Sequence, residues 1–141
     1  MPKREITTHS SDETIALGRE LAWNLKLPVL ILLEGELGAG KTALTKGLVS
    51  GLGAAAEEDV TSPTFTLVHK YEDRALAYHI DLYRIGGRSD LNTLGLEDIF
   101  SEHAAVIIEW PDRLQMETDW PRVRIHLEHV GEDTRKITIE E

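Results

Sequence analysis

The sequence predicts an α/β fold with a mixed sheet between helical layers, and three observations carry that prediction. Residues 29–33 and 104–108 are unbroken apolar runs, Val-Leu-Ile-Leu-Leu and Ala-Ala-Val-Ile-Ile, as expected of strands buried on both faces of a sheet. Residues 35–42 form a glycine-rich loop, Gly-Glu-Leu-Gly-Ala-Gly-Lys-Thr, between the first of these runs and an apolar series at helical spacing. Elsewhere, two pairs of strand-like segments are separated by only a few turn residues, which makes each pair an antiparallel hairpin.

Each element follows from local pattern. Residues 4–8 can form a short first strand. Ser10 with Glu13 matches a capping box, and Leu17, Leu21 and Leu25 follow at four-residue steps until Pro28 closes the helix. The strand 29–33 and the glycine-rich loop lead into a second helix, on which Ala43, Leu44, Leu48, Val49 and Leu52 recur until Gly53. A small-residue, acidic connection then reaches Thr61-Ser62-Pro63-Thr64. Segments 65–71 and 75–83 read as strands joined by a turn at Glu72, Asp73 and Arg74. Leu91, Leu94 and Phe100 place a helix over 90–100, with Ser89 or Asp90 as N-cap. The apolar run 104–108 ends at Glu109-Trp110-Pro111, and the tail holds a hairpin, 123–128 with 136–139, around Gly131-Glu132-Asp133. The two apolar strands should be central, with the hairpins supplying the antiparallel part. No repeat or linker divides the chain, so one domain over residues 1–141 is expected.

Bulk composition removes several function classes. A formal net charge of -10 argues against direct, phosphate-driven nucleic-acid binding, which needs a basic footprint. The chain has no cysteine, which excludes disulfides, thiolate chemistry and Cys-ligated metals. No apolar stretch follows Met1-Pro2-Lys3-Arg4-Glu5 to make a signal peptide, and no run approaches the ~20 residues of a membrane helix. A cytoplasmic protein is the expectation.

The glycine-rich loop fits G-x-x-x-x-G-K-[ST] at every fixed position, and each position has its own task. The glycines let backbone N–H groups converge on a β-phosphate, Lys41 reaches the β/γ oxygens, and the Thr42 hydroxyl holds Mg²⁺. The N-terminus of the following helix adds its dipole and unpaired N–H groups. The fold expected is therefore a P-loop NTPase-like three-layer α/β domain with a mixed parallel/antiparallel sheet, binding a nucleoside triphosphate. Glu34 and Glu36 bring negative charge to that loop, so their side chains should face solvent or meet a cation.

Such a loop needs a carboxylate from a neighbouring strand to complete the cation's shell. Asp81 and Glu109 are the candidates, each ending a strand-like segment. The stronger apolar run favours Glu109, because a central strand must adjoin the loop's own strand. Asp81 is then left to order an attacking water or to serve as a supporting carboxylate. Thr61-Ser62-Pro63-Thr64 resembles a switch loop that orders on a γ-phosphate, although an ordinary polar turn fits it equally. His79 would share the Asp81 face of its strand, and a structural histidine fits it better than a metal ligand. Trp110 should lie at the carboxyl end of its strand, where open α/β sheets bind ligands. Arg84 and Arg88, flanking Gly86-Gly87, could bring positive charge to a transition state.

In combination, these motifs resemble the TsaE family (also called YjeE), small P-loop ATPases of tRNA modification. The resemblance spans nearly the whole chain. It rests on Leu33 to Thr42, on Thr61-Ser62-Pro63-Thr64-Phe65-Thr66-Leu67-Val68, and on Tyr78-His79-Ile80-Asp81-Leu82-Tyr83-Arg84. Leu94-Gly95-Leu96-Glu97-Asp98 and Ile108-Glu109-Trp110-Pro111 complete it. It implies a weak Mg²⁺-dependent ATPase, active mainly when docked on the TsaB–TsaD heterodimer. There it would reset the complex between rounds of N6-threonylcarbamoyl modification of adenosine 37, without transferring the group itself, and would meet tRNA only through the complex. The family's Mg²⁺ ligands map onto Thr42 and Glu109, and its catalytic groups onto Asp81 and Lys41. Its ATP contacts map onto Glu36, Leu37, Gly38, Ala39, Gly40, Lys41, Thr42 and Thr64, and more loosely onto Ser11 and Arg135.

Other readings share the loop. A small-molecule kinase needs an arginine-bearing lid and an acceptor pocket, and little chain remains after Glu109 to build them. A GTPase would carry Asn-Lys-x-Asp, which is missing, and a glycine three residues after Asp81, where Arg84 stands. A nucleotide-gated assembly factor that hydrolyses ATP only incidentally differs from the ATPase in degree.

Overall fold

The two apolar runs form adjacent parallel strands in the middle of the sheet of the computed structural model, which describes residues 3–36, 39–61, 68–82, 95–111 and 118–141. The chain forms β1 (Lys3–Thr8), α1 (Ser11–Trp23), β2 (Val29–Glu34) and α2 (Lys41–Leu52), then a 3-10 turn at Glu57–Asp59. After it come β3 (Val68–Tyr71), β4 (Ala77–Asp81), the single-turn α3 (Leu96–Ile99), β5 (Ala105–Glu109), β6 (Arg122–His129) and β7 (Arg135–Glu140). The seven strands make one sheet in the order β1-β7-β6-β2-β5-β4-β3. Strands β6, β2, β5 and β4 are parallel, while β1, β7 and β3 pair antiparallel at the margins. The fold is thus the α/β, mixed-sheet architecture that the sequence predicts.

Alternation along the strands divides the core between the two faces. Ile31, Leu33, Ile107, Ile125 and Ile137 pack with Leu17 and Leu21 of α1 and Leu44 and Leu48 of α2. Leu30, Leu32, Ile80, Val106 and Ile108 point the other way and pack with Leu96 and Ile99 of α3. The capping signal at α1 is realised: Ser10 Oγ accepts the Glu13 N–H at 3.1 Å, and Glu13 Oε1 accepts the His9 N–H at 2.9 Å. No helix among the described residues is long and apolar enough to cross a membrane.

The two long helices touch backbone to backbone. A Cβ on Gly47 would lie 2.0 Å from the Ile15 carbonyl oxygen, and one on Gly18 would lie 2.5 Å from that of Leu44. Both obstacles are main chain, so Gly47→Ala must push the helices apart. Overpacking of this kind costs roughly 1–3 kcal/mol, and rigid backbone on both sides puts this case at the upper end. Thermal unfolding of the variant should show a midpoint lower by about 5–10 °C. An unchanged midpoint would mean that the helices do not cross this closely.

Three local expectations are modified. The β3–β4 connection spans residues 72–76 rather than three residues, because its backbone docks on the end of α2, where Gly53 and Ala54 carbonyls accept the Arg74 and Asp73 N–H groups. Of the helix expected over 90–100, residues 90–94 lie outside the described residues, and the described part is the single turn of α3, which starts after Gly95, a left-handed N-cap at φ 69. The proposed caps Ser89 and Asp90 lie outside the described residues. Finally, the tail hairpin supplies more than the expected antiparallel pairing, since β6 also lies parallel beside β2 and closes the other flank of the central strand.

Candidate functional site

The loop after β2 is shaped by two glycines that no other residue could replace without strain. Gly35 has φ 153, and a Cβ there would lie 2.6 Å from the Leu127 carbonyl oxygen of β6. Gly40, at φ 98, is the left-handed N-cap of α2 and offers the helix no side-chain cap. The unpaired N–H groups of the first turn of α2 are therefore left for an anion, and the helix dipole favours one. Ala39 is buried and donates its N–H to the Glu36 carbonyl at 3.1 Å, while Glu36 itself is exposed. Leu37 and Gly38 lie outside the described residues. The charge of Glu34 is met from β6: its carboxylate pairs with Arg124 and lies 4.0 Å from His126.

Parallel register brings the two strand-end carboxylates to the same level beside this loop. Glu109 aligns with Leu33 of β2 on one side and with Asp81 of β4 on the other. Glu109 is buried, at 5% exposure, and Asp81 is partly buried. Lys41, the first residue of α2, is equally buried; its Nζ donates to the Gly35 carbonyl at 2.7 Å and stands 3.8 Å from Glu109 Oε1. The same ammonium lies 4.4 Å from the centre of the Trp110 ring, a cation–π distance. Trp110 holds φ 61, an uncommon conformation for a bulky residue, directly after the carboxylate. His79, fully buried, places Nε2 2.5 Å from Glu109 Oε2. The strand-end position of Asp81, Glu109 and Trp110 is thus the one the sequence suggests, and His79 is the contact it did not reveal.

A second group forms at the neighbouring N-termini of α1 and α2. Ser11 and Arg135 share a pocket with Gly40, and Ser10, Thr14, Ala43 and Asp133 complete its lining. Arg135 Nη1 donates to the Glu132 and Thr134 carbonyls at 3.2 Å, while its Nε is buried without a hydrogen-bond partner. A Cβ on Gly40 would lie 3.6 Å from that Nε, an ordinary contact distance, so the guanidinium flanks the loop at Gly40. Two residues 124 positions apart in the chain are therefore gathered at one edge of the loop. In the sequence Ser10 carries only a capping signal and Asp133 only a turn signal, and Thr14 carries none. Thr64, the rest of its hydroxyl-rich loop from Ser62 onward, and Arg84 and Arg88 lie outside the described residues.

The donor chemistry near Lys41 suits a hard cation. Thr42 follows Lys41 and is partly buried, and with Asp81 and Glu109 it offers oxygen donors only. No cluster of three His, Cys, Asp or Glu side chains that could cage a metal occurs among the described residues. A cation here would complete its shell from phosphate oxygens and water, which is how magnesium is ordinarily bound.

Comparison with known proteins gives the chain its relatives. The family model for "Threonylcarbamoyl adenosine biosynthesis protein TsaE" matches residues 8–137. A tRNA threonylcarbamoyladenosine biosynthesis protein TsaE of Bacillus subtilis is 37% identical over 139 residues, covering 98% of this chain and 85% of its own. The protein of the same name from Treponema pallidum is 34% identical, over 94% of this chain and 96% of its own. The crystal structure of Bacillus subtilis YdiB superposes with a TM-score of 0.75 at 31% identity, covering 98% of this chain and 84% of that one.

Proposed function

This chain belongs to the TsaE family, and we propose on that footing that it binds Mg²⁺ and ATP at the loop 35–42 and hydrolyses ATP weakly in support of tRNA threonylcarbamoyladenosine modification. The observation that carries the reading is the convergence of Lys41, Glu109 and Asp81 beside an uncapped helix N-terminus. Lys41 would exchange the Gly35 carbonyl for the β/γ oxygens of the nucleotide. Thr42 and Glu109 would hold Mg²⁺, which when bound neutralises phosphate charge and fixes its geometry. Asp81, level with Glu109 on the next strand, would orient the attacking water. Ser11 and Arg135 would meet the nucleotide at the outer edge of the loop, where the unpartnered Nε is a donor awaiting an acceptor.

The partner would be protein first. The chain's net charge of -10 disfavours a firm grip on tRNA, so tRNA would be reached through a TsaB–TsaD heterodimer. A pull-down with that pair in ATP, ADP or no nucleotide, combined with single-turnover hydrolysis, tests the proposal. Retention should depend on the nucleotide, and hydrolysis should accelerate in the complex. Retention indifferent to nucleotide, with no change in hydrolysis, would overturn it.

A further inference from the structure

We propose that His79 is a positioning residue that fixes the Glu109 carboxylate for magnesium-dependent nucleotide binding, a role that rests on the nucleotide-site reading above. Three features set His79 apart from an ordinary core residue. It is fully buried, level with Ile107 of β5 on one side and His69 of β3 on the other, and on the same sheet face as Ala77. Its Nε2 lies 2.5 Å from Glu109 Oε2, and since a carboxylate only accepts, the ring N–H is the donor. Its Nδ1 is buried without a hydrogen-bond partner, so the polar bonding of the ring is spent entirely on Glu109. A residue that merely filled this space would be better apolar, because burying a polar ring with one unpaired nitrogen is unfavourable.

The contact divides the labour of the two carboxylate oxygens. Oε2 is held by His79 from the interior, while Oε1 faces Lys41 at the loop. When Lys41 turns to phosphate, Oε1 is the oxygen left facing the loop, and the His79 N–H keeps the carboxylate from rotating away. Asp81, at the same level on β4, is a like-charged neighbour whose repulsion the histidine N–H helps to offset. Partners that orient a metal-binding carboxylate in this way are worth roughly 10- to 100-fold in metal affinity.

The test compares three variants of the full chain by titration calorimetry with ATP, in magnesium and in EDTA. His79→Leu and His79→Asn, which cannot reach Glu109, should weaken magnesium-dependent ATP binding about 10- to 100-fold and leave binding in EDTA unchanged. His79→Gln, whose amide N–H can reach the place of the ring Nε2, should stay within about threefold of the parent. In a Glu109→Gln background the His79→Asn effect should vanish, as it must if the histidine acts through that carboxylate. Should His79→Leu fail to fold, the contrast between Gln and Asn decides. Equal behaviour of Gln and Asn, an equal loss with and without magnesium, or an undiminished loss in the Glu109→Gln background would each overturn the proposal. In the nucleotide-free protein, a slowly exchanging imidazole proton should be visible by NMR and shift in Glu109→Gln; its absence also counts against the contact. If that proton is present but the parent protein binds no Mg²⁺ and ATP, the nucleotide-site reading has failed while the contact stands.

Discussion

Lys41→Ala is expected to lose ATP binding by at least about 100-fold, because two charge-assisted hydrogen bonds to phosphate oxygens disappear together. The loss should not come alone. Lys41 is only 5% exposed, and its Nζ sits between the Gly35 carbonyl, the Glu109 carboxylate and the Trp110 ring. Removing it strips a buried carboxylate of its cationic neighbour, a change worth on the order of 1–3 kcal/mol. That is below the figure for a tightly paired buried ion, since 3.8 Å is a long contact. Calorimetric titration with ATP beside thermal unfolding separates the two effects. Lys41→Met, which keeps most of the buried apolar stem, should recover part of the stability and none of the affinity. A folded Lys41→Ala protein that bound ATP within threefold of the parent would sink the assignment of this loop.

Much of this arrangement could be read from the chain, and the reason is that its signals are local. Fixed spacing from Gly35 to Thr42 defines the loop, and an apolar run ending at Glu109 marks a strand that must lie at the centre of the sheet. The turn residues between paired segments give both hairpins. What escaped depends on pairing across long stretches of sequence. In β6, exposed Arg122, Arg124, His126 and Glu128 alternate with buried Val123, Ile125 and Leu127, which locally resembles a marginal strand with one wet face. Its place beside β2 is set by how the chain crosses over, and no periodicity records that. The same holds for side chains. Glu34 finds its cation 90 residues away in Arg124, and Glu109 finds His79 30 residues upstream. A pattern of two tells which face a residue occupies; it does not tell which neighbour it will bind.

The register between β4 and β5 makes a second strong prediction, because it places two carboxylates level and gives them different surroundings. Glu109 is buried, bonded to His79 and close to Lys41, whereas Asp81 is partly exposed. A group that orders water acts in the transition state and contributes little to ground-state affinity. Asp81→Ala should therefore bind ATP within about threefold of the parent and lose turnover by roughly 10²–10⁴-fold, the usual worth of a positioned acid–base group. Glu109→Ala should instead lose magnesium-dependent affinity by at least about tenfold, and Thr42→Ala should follow it in direction, both with little change in EDTA. Calorimetry of the three variants, beside single-turnover hydrolysis at saturating ATP, reads affinity and chemistry separately. Equal affinity losses in Asp81→Ala and Glu109→Ala would mean that the two carboxylates share the cation. The differing burial of two residues aligned on neighbouring strands would then not reflect different tasks.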